Sequence, residues 1–403
     1  MDFSISEKTS QLKISEISVA YLLQFDSITC LTKAMLNSSP LAQYAAEHWI
    51  DHTKSGKIEP TLLRLILQLF SGTAAFRNWV WIYNIDYSEQ SQGLSKVPSP
   101  LYYAALVGFQ EVSKRLLEKE VNVNVQEGEY GNALQAASCQ GHEAIVKLLL
   151  EKKADVNAKG GKFGNALQAA SFQGHETIVK LLLEKKADVN AHGGVYGNAF
   201  QAASFEGHEA IVKLLLEKKA DVNAQGGLYG NALQAASLQG HEAIVKLLLE
   251  KKADVNVQGG PYGNALQAAS LLGHEAVVKL LLEKKADVNA QGGEFGNALQ
   301  AASLQGREAI VKLLLEKNAD VNVQGGECGN ALQAASFWGN EAIVKLLLDN
   351  KADVNAKGGP YGNALQAASL RGNETIVKLL LDNKADVNAK GGPYGNALQV
   401  ASL

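Results

Sequence analysis

Cysteine is scarce in this chain: three in 403 residues, at Cys30, Cys139 and Cys328. They lie far apart and form no C-x-x-C pair, which excludes a zinc ribbon and a disulfide framework and fits a reducing interior. A charge excess of either sign is also lacking. Lys and Arg number 38 against 41 Asp and Glu, a net charge of −3, so no global field draws the chain to nucleic acid or an anionic membrane. Long apolar runs are missing. The longest near the N-terminus, Leu62 to Phe70, is broken by Arg64 and Gln68 and is about half the length of a membrane helix. The opening MDFSISEKTSQLK has no signal-peptide core, so the cytoplasm or the nucleus is the expected compartment. Proline is rare (7) while glycine is common (38), a combination that points to regularly spaced tight turns. The remainder, 46% apolar and 20% charged, is globular rather than disordered in composition. The length allows two or three ordinary domains or one long repeat array.

Self-similarity decides between them. Gly-Asn followed by Ala starts at residues 131, 164, 197, 230, 263, 296, 329, 362 and 395, every interval being 33. The same frame extends back to Pro98. Residues 98–403 therefore make nine full units and part of a tenth, a mainly α solenoid. One unit, residues 131–163, shows the local logic. Asn132 is a strong N-cap with Gln135 at N3, so a capping-box-like pair opens a short helix. Gly141 ends it, and a second helix runs from Glu143 to about Lys152. Its apolar residues Ile145, Val146, Leu148, Leu149 and Leu150 cover more than one stripe, so burial on two sides is expected. Ala154 to Ala158 reads as an extended exit, and Gly160-Gly161 supplies positive φ for a hairpin. No such unit buries its own apolar face, so stacking is obligatory.

A period of 33 with this content resembles the ankyrin repeat. Ser99-Pro100-Leu101-Tyr102 carries the family's opening motif, and Gly141-His142, Leu148-Leu149-Leu150 and Ala154-Asp155-Val156-Asn157 fit its second half. Later units depart from the pattern, with Asn-Ala-Leu-Gln replacing the family's Thr-Pro-Leu-His. The glycine usual before Ala-Asp is Lys153, Lys186, Lys219, Lys252, Lys285, Asn318, Lys351 and Lys384. If that position is left-handed, each Lys costs about 1 kcal/mol against Gly. The glycines have moved into the hairpin, where Tyr130, Phe163 and Tyr196 stand in place of a turn glycine.

Residues 1–95 lie outside the period and read as a helical block capping the array. Ile14 to Phe25, Leu41 to Ile50 and Pro60 to Phe70 have helical spacing, and Phe76, Trp79, Trp81, Tyr83 and Tyr87 form a dense aromatic segment. Three or four short helices and a polar linker over 88–96 are expected. The strings LAQYAAEHWIDH, LLRLILQLF, AFRNWVWIY and SPLYYAAL make the block similar to the region joining a NACHT-type nucleotide-binding module to ankyrin repeats in fungal receptor-like proteins. No G-x-x-x-x-G-K-[ST] motif is present, so the chain is no NTPase on its own.

Candidate chemistry is thin. His142, His175, His208, His241 and His274 recur in register. Equivalent atoms of stacked units lie about 8–10 Å apart, whereas metal ligands each sit about 2 Å from one ion. Neighbours therefore cannot share a metal, and Arg307, Asn340 and Asn373 at the same place fit a turn hydrogen-bonding role. Ser138 and its equivalents sit inside a helix with no base of matching geometry. His48 and His52 are spaced i, i+4 beside Glu47 and Asp51, a pattern read as a solvated face over a metal site. No enzyme, cofactor or metal is expected, nor a nucleic-acid or membrane partner.

Comparing unit with unit shows where the repeats vary. The hairpin tips include Lys162, Val195, Leu228, Glu294 and Glu327. A second hairpin row includes Lys159, His192 and Gln225. The first helix ends differently at Leu272, Trp338 and Arg371, with Phe337 beside Trp338. In ankyrin proteins the hairpin tips and first helix line the concave binding face, so the resemblance implies a protein partner there. Neutral drift at exposed positions gives the same pattern. The aromatic pair Phe337-Trp338, where Gln is usual, is the candidate hot spot. Two functions follow: a non-enzymatic protein-interaction scaffold, or the ligand-sensing part of a NACHT-type receptor whose nucleotide-binding module is absent from this chain.

Overall fold

The computed structural model describes residues 7–28, 31–54, 57–71, 74–86, 97–393 and 395–402. The expected linker 88–96 lies outside these residues, as do Cys30 and Tyr87. The chain divides into two compact units, 1–188 and 189–403.

The first unit opens with five helices: α1 (Glu7–Leu23), α2 (Lys33–Asn37), α3 (Ala42–Thr53), α4 (Pro60–Leu69) and α5 (Ala74–Ile82). Pro60 starts α4 at a position where its missing N–H costs nothing, and Leu62, Ile66 and Leu69 form the buried stripe. The centre is aromatic. Trp49 and Trp79 meet edge to face at 5.4 Å, and the rings continue into the first repeat through Trp49–Phe109 (5.4 Å) and Trp79–Tyr103 (5.7 Å). Trp81 and Tyr83 stand at the rim. A polar joint reinforces this contact. Buried Asp86 accepts from the Tyr102 hydroxyl at 2.5 Å and from Glu129 N at 2.8 Å. Tyr130 N in turn donates to the same hydroxyl at 3.2 Å.

The first unit also holds the helix pairs Pro100–Val107 with Gln110–Leu117, Ala133–Cys139 with Glu143–Glu151, and Ala166–Gln173 with Glu176–Glu184. The second unit continues the series from Ala199–Glu206 to Glu374–Asp382 and ends with Ala397–Ala401. No β-strand occurs among the described residues beyond isolated hairpin bridges such as Gly160 with Gly164. The Asn caps are formed: Asn132 Oδ1 accepts from Gln135 N at 2.9 Å. The reciprocal bond of a capping box forms at later repeats, where Asn231 N donates to Gln234 Oε1 at 2.8 Å, and Gln135 turns its amide elsewhere. Its Nε2 donates to the carbonyls of Ala158, Gly160 and Gly164 in the next hairpin at 3.3, 3.0 and 3.2 Å. It thus fills buried acceptors and fixes one repeat on the next.

Two-sided burial of the second helix is not what the structure shows. Ile145, Val146 and Leu149 are buried, whereas Leu148 and Leu150 are half-buried. One face lies on the first helix of its own repeat, and the flanks meet the second helices before and after it. The outer surface carries Glu143–Lys147 and its equivalents Glu209–Lys213 and Glu341–Lys345 as exposed ion pairs, each a minor stabiliser.

The lysines before Ala-Asp are left-handed, with φ of 64° at Lys153 and 67° at Lys219. They occupy the C′ position of a Schellman motif: Ala220 N donates to Leu215 O at 2.9 Å and Lys219 N to Leu216 O at 3.0 Å. An asparagine of the preceding repeat secures each joint. Asn190 Oδ1 accepts from Asp221 N at 2.9 Å, and its Nδ2 donates to Lys219 O at 3.3 Å.

Candidate functional site

The histidine row is structural. His142 Nε2 donates to Leu106 O at 3.2 Å, His241 to Phe205 O at 2.8 Å and His274 to Leu238 O at 2.8 Å. Arg307 makes the equivalent bond to Leu271 O, and Asn340 donates to Ser303 O, one residue earlier in its helix. Each partner is the end of the preceding first helix, whose orphan carbonyls need donors. Burial lowers the His142 pKa, partly offset by its bond to Leu106. The unfolded state then binds more protons just below the ordinary histidine pKa of about 6.5. Stability of the first unit is therefore full above that value and falls as pH drops through it. His142→Asn, copying Asn340, should flatten this acid-side loss. Parallel acid limbs in melting curves of the two proteins would refute the assignment.

Other chemical candidates are spoken for. His52 pairs with the Tyr44 hydroxyl at 2.9 Å through Nε2 and with Gln11 through Nδ1. Ser138 and its equivalents through Ser336 are fully buried, while Ser369 and Ser402 donate to Leu365 O and Gln399 O of their own helices. Burial pushes the Cys139 thiol up to about 11 and raises Cys328 as well, so both are neutral thiols near pH 7. Among the described residues no three His, Cys, Asp or Glu converge to hold a metal ion, and no helix is long and apolar enough to cross a membrane.

The variable positions form a surface built on a column of rings. In the first unit Tyr130 stacks on Phe163 at 6.1 Å, and exposed Lys162 reaches Glu129 at 3.5 Å, with Lys159 exposed on the same hairpin. In the second unit Tyr196, Tyr229, Tyr262 and Phe295 stack in succession at 6.0, 6.2 and 6.2 Å. Cys328 interrupts the column, and Tyr361 stacks instead on Phe337 at 4.1 Å. The ring standing in place of a turn glycine is thus a rung that packs hairpin on hairpin. The Tyr or Phe one residue before every Gly-Asn except Gly329-Asn330 was the available signal, but its stacking needs the tertiary structure.

Val195 and Leu228 are adjacent exposed tips, joined by Leu228 N donating to Val195 O at 2.9 Å. Glu294 and Glu327 are likewise adjacent and exposed, joined by the equivalent 2.9 Å bond. His192 and Gln225 are exposed on the hairpins beneath, and Leu272 is 40% exposed at its helix end, two repeats from Trp338. The structure brings Phe337, Trp338 and Arg371 together. The Arg371 guanidinium lies 4.6 Å over Phe337 and 5.4 Å from Trp338, and the two rings meet edge to face at 5.4 Å. Trp338 remains 52% exposed. Tyr361, which completes this cluster, was missed by reading the variable positions alone.

A family model described as "Ankyrin repeats (3 copies)" matches residues 68–160, 159–226, 199–292, 232–325, 266–358 and 298–391. Among curated proteins, the azaphilone pigments biosynthesis cluster protein L of Monascus ruber is 36% identical over 155 residues. That match covers 34% of this chain, and the chain spans about a third (32%) of the relative's length. Among solved structures, the human ASB11 ankyrin repeat domain is 28% identical. It covers 54% of this chain and 98% of its own, with a TM-score of 0.48.

Proposed function

The chain belongs to the ankyrin-repeat family, and on that footing we propose that it is a non-enzymatic scaffold binding a partner protein through its hairpin tips and first-helix ends. The observation that carries this reading is the Tyr361–Phe337–Arg371–Trp338 cluster. It holds a large indole rigidly at the surface, where burying it in a partner yields apolar contact at little entropic cost. Trp338 serves the fold little, being half exposed at the end of its helix. Trp338→Gln, which restores the residue usual in this row, should weaken partner binding by more than about 1 kcal/mol and leave the melting temperature unchanged. Affinity capture on the wild-type chain supplies the partner, and titration of both proteins measures the difference. Equal affinities would remove this cluster from the binding surface.

A second reading rests on the N-terminal block. Its likeness to the segment that joins NACHT modules to ankyrin repeats would make the same face the sensing part of a longer receptor. A P-loop encoded upstream in the same reading frame tests it.

A further inference from the structure

The exposed residues of the second unit follow an order along the hairpin row. Val195 and Leu228, both exposed, and Pro261, half-buried, make three successive uncharged tips. Glu294 and Glu327 follow as two acidic tips; the next two tips are Pro360 and Pro393, and Lys357 and Lys390, three residues before them, make those hairpins basic. Glu206, near Tyr196 and Tyr229, sets one carboxylate at the edge of the apolar stretch. The charges on this face differ from those on the second helices. There Glu209, Glu275 and Glu341 are each paired with a lysine four residues on. Among the described residues, Glu294, Glu327, Lys357 and Lys390 make no ion pair within 4.0 Å.

The pitch of the row supplies a second constraint. From Tyr196 to Phe295 successive rungs stand 6.0 to 6.2 Å apart, and two residues of extended chain advance about 6.6 Å. Alternate side chains of one extended segment can therefore meet successive hairpins over several repeats. The tip backbones already bond to one another, Leu228 N to Val195 O, Glu294 N to Pro261 O and Glu327 N to Glu294 O. Recognition must then come from side chains, not from adding a strand.

We infer that this face takes an extended segment of a partner protein whose alternate residues run apolar, then basic, then acidic along the row from Val195 to Lys390. The inference rests on the binding face proposed above and adds its register and order. Opposite charges facing each charged hairpin favour that order, and exchanging the charged blocks sets like charges together.

Two synthetic peptides of identical composition test it against the full chain by fluorescence anisotropy. One carries three leucines, two lysines and two aspartates in that order at alternate positions, with serine between. The other has the lysine and aspartate blocks exchanged. Each is made in both chain directions, because the row fixes order and not polarity. The matched order should bind about tenfold more tightly in one direction. The variant Glu294→Lys, Glu327→Lys, Lys357→Glu, Lys390→Glu should reverse the preference. Equal binding of both orders, binding of neither, or an unreversed preference in the folded variant overturns the inference. If the variant fails to fold, the wild-type comparison decides alone. Partner binding that Trp338→Gln weakens, together with peptides that bind alike, would sink the register while leaving the face itself in place.

Discussion

Replacing Lys219, Lys252 and Lys285 together by glycine is expected to stabilise the second unit by about 3 kcal/mol, near 1 kcal/mol for each position. All three lysines are held at φ of 65° to 67°, where a β-carbon crowds the following carbonyl. Glycine removes that atom and keeps every backbone bond of the Schellman motif, including the carbonyl of residue 219 that Asn190 contacts. The flexibility glycine adds to the unfolded chain offsets part of the gain, which is why the expected figure is not larger. Alanine at the same positions is the control, since it removes the lysine charge and stem but retains the β-carbon. Urea unfolding of the wild type and both triple variants decides the matter. A glycine variant no more stable than the alanine variant would show that the lysines are not strained.

Tyr102→Phe should destabilise the first unit by about 2–3 kcal/mol at neutral pH, the range for a buried hydrogen bond to a charged group. The hydroxyl donates to Asp86 at 2.5 Å and accepts from Tyr130 N at 3.2 Å. Phenylalanine keeps the ring packing but leaves a buried carboxylate one donor short and an amide without its acceptor. Burial already raises the Asp86 pKa, against the pull of its bonds to Tyr102 and Glu129. A carboxyl whose folded pKa is raised favours folding when protonated and loses that contribution as pH rises through the folded value. Loss of the Tyr102 donor raises it further. The deficit of the variant should therefore shrink as the solution is made mildly acidic, where a protonated Asp86 no longer needs the donor. Melting curves of both proteins at neutral and acid pH measure this difference, and His142 titrates equally in both. A deficit that is absent, or that does not change with pH, would refute the role given to this joint.

The repeat and its Asn caps were legible in the amino-acid order, because each is a local choice repeated at an interval of 33 residues. Asn132 announces a helix start through its own side chain, whereas the left-handed turn at Lys153, expected only conditionally from the resemblance, came from the structure. The place of the histidines followed from substitution by Arg and Asn at the same step, residues that share only the ability to donate a hydrogen bond.

What the tertiary structure decided concerns contacts between repeats. Periodicity says that Gln135 and its equivalents do the same thing, but not that each reaches forward to the next hairpin. It shows an aromatic in every hairpin before Cys328, but not that the rings stack into a column whose pitch suits two residues of extended chain. It singles out Phe337 and Trp338, but not that Tyr361, at the end of the same repeat, and Arg371, from the next, hold them. Asp86, outside the period altogether, gave no sign of its bond to Tyr102. These contacts join residues more than a dozen positions apart, and their geometry is set by how one folded repeat rests on another. Local pattern fixes the shape of each unit, while the order of side chains across a surface exists only once the units are stacked.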